Sequence, residues 1–328
     1  MKILPMTEAE FGSVFSEQGP EALVRTADSL YDRMRLDMVE RVRGFVRSGR
    51  DAGEIIPGLR LSLVEQPVRE PNCFYVLSVG LILQGGKRLI IGDRRYEYGA
   101  GSMIVTSLDM PTSYELLGVR PSEPFVGLSL RLDPSILAEL LAEGEHVGGI
   151  DRDVFHIERP TDELTEDFNR LLQLLEHPSA AKIRAPTFVR DIHCLALASA
   201  AGKGLKALYG TGTADERIRR SIRWLRANFR EPVTVEDLAG KAGMAPTTFH
   251  KHFKAVTSLS PLQYQKRLRL YEAQQFMLRG EGDVNSAAYA VGYRSPQQFN
   301  RDYKRIFGTS PGRDVRAVRQ QFAASAGN

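Results

Sequence analysis

Cysteine is nearly absent from this chain, with Cys73 and Cys194 its two representatives in 328 residues. Two distant cysteines cannot build a disulfide framework or a thiolate metal site, and both read as small buried apolar fillers in a reducing compartment. Long apolar runs are missing too: no stretch approaches the roughly 20 residues that cross a bilayer. The segment Met1 to Met6 lacks the apolar core of a secretion signal, so a cytoplasmic chain away from membranes is expected. Histidine does not occur between Ile55 and Leu132, and the six histidines lie at positions 146, 156, 177, 193, 250 and 252. A metal-dependent barrel enzyme needs clustered histidines on neighbouring strands, which this pattern denies. His250 and His252, two apart on a helix, point in different directions. His193 beside Cys194 could suggest thiol chemistry, but on an apolar helical stretch both read as core or interface residues. No Gly-x-Ser-x-Gly, phosphate loop or dinucleotide fingerprint is found. The chain is expected to be no enzyme, with no catalytic residues, no metal and no cofactor.

What is present divides in two. From Thr213 onward there are 20 Lys+Arg against 10 Asp+Glu, a charge of +10, while the preceding residues carry 24 against 30, or −6. A basic third beside an acidic remainder suggests a polyanion-binding domain joined to something else. In the acidic part, Leu23, Ala27, Leu30, Met34, Met38, Val42 and Phe45 recur at helical spacing, predicting a helix from about Glu21 to Gly49. The period changes after Ile55. Leu59 to Leu63 alternates, Phe74 to Leu83 is an apolar run, and glycine turns separate Arg88–Ile91, Arg94–Tyr98, Met103–Val105 and Phe125–Leu132. These short strands predict a small antiparallel barrel or sandwich. Helices are predicted over Ile136–Leu141, Leu164–Leu175 and Pro186–Ala201, with Gly202-Lys203-Gly204 as punctuation and Gly210-Thr211-Gly212-Thr213 as the interdomain hinge. Tyr75, Tyr96, Tyr98 and Tyr114 suit the lining of a small-molecule cavity, or equally the filling of a barrel core.

The basic part writes one pattern twice, fifty residues apart. Pro246-Thr247-Thr248-Phe249-His250-Lys251-His252-Phe253-Lys254 leads to Ser260-Pro261, and Pro296-Gln297-Gln298-Phe299-Asn300-Arg301-Asp302-Tyr303-Lys304 leads to Ser310-Pro311. In the first copy Thr234 and Asp237 have the spacing of a capping box, Leu238 and Ala242 face inward, and Gly243 supplies the turn. Phe249, Phe253 and Val256 then form the buried stripe of the second helix, leaving Thr247, His250, Lys251 and Lys254 outside. The second copy repeats this with Ala287, Ala288, Val291 and Gly292, then Phe299, Tyr303 and Ile306. Its outer face carries Gln297, Gln298, Asn300, Arg301, Lys304 and Arg305. Donor-rich helices of this kind can seat in a major groove. Leu262 to Leu278 reads as one connecting helix whose Lys266, Arg267 and Arg269 can set the separation of the units.

Residues of about 215 to 318 resemble the DNA-binding domain of the AraC/XylS family of bacterial transcription regulators. The matching signature is Gly292-Tyr293-x-Ser295-Pro296-x-x-Phe299-x-Arg301-x-Tyr303-Lys304-x-x-Phe307-Gly308-x-Ser310-Pro311. Residues 20 to 180 are similar to a cupin-like N-terminal domain of that family, through Leu83-x-Gly85-x-Lys87, Gly92-x-x-x-Tyr96-x-Tyr98-Gly99-x-Gly101 and Ser107-x-Asp109-x-Pro111. The resemblance implies an α+β chain: a cupin-like small β-barrel with flanking helices, then an all-α domain of seven helices with two helix-turn-helix motifs. The expected divisions are residues 1–54, a helical segment on the barrel; 55–210, the effector-sensing or dimerisation barrel; and 211–328, with helix-turn-helix units at about 235–256 and 284–307. By motif position it implies base contacts from Thr247, His250, Lys251, Pro296, Gln297, Gln298 and Arg301, although Thr247 is short and Pro296 has no side-chain donor. Lys254, Asn300, Lys304 and Arg305 are assigned to phosphates. The implied partners are double-stranded DNA, RNA polymerase, a small-molecule effector whose contacts are unknown, and a second copy of the chain. A barrel serving only dimerisation is the alternative, with a metal-dependent cupin enzyme as a remote third reading.

Overall fold

The computed structural model describes residues 30–91, 94–143, 153–210 and 214–326. The start of the predicted N-terminal helix and hinge residues 211–213 therefore lie outside the described residues. Helix α1 (Leu30–Arg47) buries Met38, Val39 and Val42, the apolar side of its stripe. A single turn, α2 (Ala52–Ile55), is capped by Asp51 and leads into the strands.

Nine strands follow among the described residues: β1 (Leu59–Val64), β2 (Arg69–Tyr75), β3 (Ser78–Gln84), β4 (Gly86–Ile91), β5 (Arg94–Gly99), β6 (Met103–Thr106), β7 (Met110–Leu117), β8 (Phe125–Arg131) and β9 (Phe155–Glu158). They form two sheets with orders β1-β8-β3-β6-β9 and β2-β7-β4-β5. Every pairing among them is antiparallel. The run from Phe74 to Leu83 is not one strand. It ends β2 in one sheet and begins β3 in the other, with Val76 and Leu77 as the crossing. Strands β7 and β9 were not foreseen.

Register fixes which side chains look inward. In the four-stranded sheet, Lys87 pairs with Tyr98 and Leu116, Leu89 with Tyr96 and Tyr114, Cys73 with Thr112, and Tyr75 with Met110. Antiparallel partners share a face, so this set forms one surface, and burial of Leu89, Met110, Thr112 and Leu116 identifies it as the inner one. All four tyrosines singled out above lie on it. The outer surface carries Arg88, ion-paired to Glu97 and to Glu115.

Three helices beside the sheets are longer than the pattern suggested, and one is new. They are α3 (Pro134–Glu143), α4 (Asp162–Leu174), α5 (Pro178–Ala198) and α6 (Gly202–Tyr209). Pro178 opens α5 and Pro186 lies inside it, so the second proline, not the first, misled the boundary. Gly202 and Gly204 belong to α6 rather than to a break. Buried His193 accepts from the Asp133 amide at 2.7 Å and contacts the Val189 carbonyl at 2.7 Å, tying α5 to the start of α3. Cys194 is exposed, contrary to the buried role expected of it, because its neighbour occupies the inward position. Cys73 is partly buried and shares a hydrogen bond with Thr112.

The described residues of the C-terminal part form seven helices: α7 (Ala214–Ala227), α8 (Val235–Ala242), α9 (Pro246–Thr257), α10 (Pro261–Leu278), α11 (Val284–Ala290), α12 (Pro296–Phe307) and α13 (Pro311–Ala326). They dock on the outer side of β2. Phe74 contacts Tyr264 and Tyr271 at ring distances of 5.9 and 5.1 Å. Asn72 Nδ2 donates to the Arg267 carbonyl at 3.1 Å, and Tyr264 Oη to the Asp109 carbonyl at 2.8 Å. The Asp109 carboxylate also ion-pairs with Arg226 at 3.2 Å and accepts from the Leu77 amide at 2.9 Å, so it ties the crossing between β2 and β3 to α7.

Candidate nucleic-acid interface

Each helix-turn-helix unit is built by local chemistry that the sequence dictates. Thr234 accepts from the Asp237 amide at 3.1 Å, and Asp237 accepts from the Thr234 amide at 3.2 Å. This closes a capping box and satisfies donors that the first turn of α8 cannot use internally. Gly243 ends α8 in the left-handed conformation at φ +60°. Pro246 then starts α9, whose Phe249, Phe253 and Val256 are buried, with Phe253 edge-on to Tyr264 at 5.8 Å. The opposite side exposes Thr247, His250, Lys251 and Lys254.

The second unit uses a different cap and the same logic. Asp283 accepts from the Ser286 amide at 2.7 Å to open α11. Gly292, at φ +84°, makes the turn. A Cβ there would stand 2.2 Å from the Arg230 carbonyl oxygen, so close approach requires glycine as much as the dihedral does. In α12 the buried stripe is Phe299, Tyr303 and Phe307, with the last two rings stacked at 4.1 Å. Phe307 thus takes the position expected for Ile306, which is only partly buried. Gln297, Gln298, Arg301, Lys304 and Arg305 are exposed, whereas Pro296 and Asn300 are half-buried.

One acid interrupts this donor face, and the structure neutralises it. Asp302 is buried, with Lys266 at 3.2 Å, Arg305 at 3.1 Å and the Tyr293 hydroxyl at 3.4 Å around its carboxylate. Arg305, expected to be a phosphate ligand, is therefore also a partner of Asp302.

The relation between the units rests on Arg269, whose part in the sequence reading was only that it lies on the connecting helix. Its guanidinium donates to the carbonyls of Phe229 at 2.6 Å, Arg230 at 3.0 Å, Glu231 at 2.9 Å and Gly292 at 3.1 Å. Gln265 adds bonds to Phe229 and Glu231. A five-donor fork is suited to several carbonyls at once. It clasps the chain end beyond α7 to the turn of the second unit, and burial lowers its pKa. Backbone carbonyls carry no residue signature, so no sequence signal announces this clasp. Beside it lies a cleft of about 390 Å³ whose walls include Arg230, Lys266, Arg294 and Gln298.

Among the described residues no group of three or more His, Cys, Asp and Glu could hold a metal ion. Nor is any described helix long and apolar enough to cross a membrane.

Comparison with known proteins agrees with this geometry. Residues 55–203 match the family described as AraC-type transcriptional regulator N-terminus, and residues 238–317 match a helix-turn-helix domain family. The HTH-type transcriptional activator RhaS of Escherichia fergusonii is 30% identical over 154 residues, 47% of this chain and 55% of that protein. RhaS of Citrobacter koseri is 33% identical over 110 residues, 34% of this chain and 39% of that protein. The chain thus spans about half the length, or less, of these curated relatives. Among solved structures, apo ToxT from Vibrio cholerae has a TM-score of 0.55 at 12% identity, covering 78% of this chain and 96% of ToxT. ToxT bound to an unsaturated fatty acid has a TM-score of 0.52 at 14% identity, with 79% and 93% covered.

Proposed function

The chain belongs to the AraC/XylS family, and from that premise we propose that it is a sequence-specific DNA-binding transcription regulator governed by a small molecule bound between its sheets. The observation that carries the reading is the pair of recognition helices, α9 and α12. Each is anchored by a buried aromatic stripe and exposes donors, and Arg269 ties the segment ahead of the first unit to the turn of the second. In this reading Thr247, His250, Lys251, Gln297, Gln298 and Arg301 meet base edges, with Pro296 giving apolar contact. Lys254, Asn300, Lys304 and Arg305 meet phosphates. Glutamine and arginine suit adenine and guanine edges through paired hydrogen bonds, while lysine neutralises phosphate without reading sequence.

The effector part of the proposal is supported by the inner-face tyrosines and by the ToxT likeness, one of whose members holds a fatty acid. Effector occupancy would bias how the C-terminal helices dock on β2 and so alter promoter affinity or contact with RNA polymerase in the cytoplasm. Protomers would pair through the double-sheet domain. Two clasped reading helices should protect two major-groove segments about one duplex turn apart, ~34 Å. Footprinting on the promoter beside the chain's own gene checks this. A single protected groove, or protection of random duplex alone, would count against it.

A further inference from the structure

Among the described residues, the inner face of the four-stranded sheet holds a charge with no counter-charge. Strand alternation sends Arg88 outward, where Glu97 and Glu115 receive it, and sends Lys87 inward. The groups around the Lys87 ammonium are rings: Tyr114 at 4.1 Å from the ring centre, Tyr75 at 4.9 Å and Phe125 at 5.7 Å. Aromatic faces attract a cation, but they fill none of its three hydrogen-bond donor positions as an oxygen does. The nearby Cys73 offers no anion, since burial pushes its thiol up to about 12. Burial also pulls Lys87 down to about 8, leaving it chiefly protonated at neutral pH.

Two further groups in the same place are short of partners. Tyr98 stands opposite Lys87 in the register and is 8% exposed, and its hydroxyl faces that of Tyr75. Among the described residues neither buried hydroxyl finds a partner beyond the other. Buried polar groups in folded proteins are nearly always satisfied, so a cation without an anion and two hydroxyls with only each other call for an occupant.

We propose that Lys87, Tyr75 and Tyr98 form the anchor of the effector site and that its ligand is a small organic monocarboxylate. This deepens the reading of the double-sheet domain as a sensor and rests on it. A carboxylate brings the missing negative charge and accepts from the ammonium and from both hydroxyls. The Tyr114 and Phe125 rings cover its apolar body. A single cation without arginine suits a monoanion, because a dianion would bring a second charge with nothing to meet it.

The test uses the full chain, with sodium benzoate and sodium hexanoate as probes and benzamide, hexanamide and inorganic phosphate as controls at matched ionic strength. At least one carboxylate should raise the melting temperature in a dose-dependent way below about 10 mM, while its amide and phosphate should not. Lys87→Met should leave the ligand-free chain at least as stable, because it removes a half-buried charge with no carboxylate beside it, and should weaken carboxylate binding about tenfold or more. Tyr98→Phe keeps the ring and should weaken binding to a smaller degree. If Lys87→Met fails to fold, the contrast between acid and amide on the wild-type chain still decides. Equal effects of acid and amide, undiminished binding by Lys87→Met, or no response to either carboxylate would overturn the proposal. DNA binding measured without ligand should persist in Lys87→Met. Its loss in both chains would instead defeat the regulator reading, so the two failures are told apart.

Discussion

Arg301 and Lys304 lie three residues apart on the exposed side of α12, yet truncating each should do different damage. Arg301→Ala removes a fork suited to guanine and should cost about 1–3 kcal/mol at one base pair, relaxing preference there. Lys304→Ala should weaken specific and random duplex alike and lower the salt slope by about one. Titrations of matched and mismatched duplexes at several salt concentrations check both, and equal losses in the two variants would refute the division of labour. At this scale the sequence was informative where a role follows from position on a helix. Phe249, Phe253, Phe299 and Tyr303 are all buried at the predicted places. It failed where side chains answer to distant partners. Asp302 drew no remark as part of the repeat, and its pairing with Lys266 and Tyr293, from elsewhere in the chain, is visible only in the fold. Lys87 appeared in a quoted motif, but only the register with Tyr98 and Leu116 shows that it points inward.

The two helix-turn-helix units look alike as elements but differ in how much their turns tolerate. Gly243 has nothing within 4 Å of an added Cβ, whereas Gly292 would press one onto the Arg230 backbone. Gly243→Ala should therefore cost about 1–2 kcal/mol, the left-handed penalty alone. Gly292→Ala adds an overpacking cost of about 1–3 kcal/mol and pushes the second turn off the Arg269 clasp. Melting of both variants, with footprints of each, checks the contrast; Gly292→Ala should lose the half of the footprint read by α12 first. These units were legible because their determinants are local: a cap, a glycine, a four-three aromatic spacing. The sheets were less so. Phe74 to Leu83 shows no alternation at the place where the chain crosses between sheets, so its apolar run concealed two strands. Strand β7 opens with Met110-Pro111-Thr112, without an apolar-polar period, and a proline there argues against a strand until its neighbours are known.

Across the whole molecule, the first unit shares a continuous core with the double-sheet domain, whereas the second has a core of its own around Phe299 and Tyr303. The second unit is thus the part whose placement rests most on individual contacts with β2 and α10. Glu70, on β2, is one of them. Burial pushes its carboxyl up to about 7, with Asp314 adding repulsion, while the Asn72 amide and Gln274 act in the opposite sense. Asp314 is itself held by Tyr303 at 2.7 Å and Gln274 at 2.8 Å, so the carboxyl lies where strand, connecting helix and second unit converge. A carboxyl raised in the folded state binds its proton more tightly there than in the unfolded chain. Its contribution is therefore full below about 4.5, falls as pH rises towards about 7, and stays lost above that. Glu70→Gln mimics the protonated form and should remove this slope, with a gain at pH 8 of about 1–2 kcal/mol once solvent screening is allowed for. Melting temperatures of the wild type and the variant at pH 5 and pH 8 isolate the effect, because every other titrating group is common to both chains. The difference between the chains should be small at pH 5 and favour the variant at pH 8. A difference that does not change with pH would mean that Glu70 is solvated rather than pressed between β2 and the second unit, and the docked arrangement would have to be redrawn.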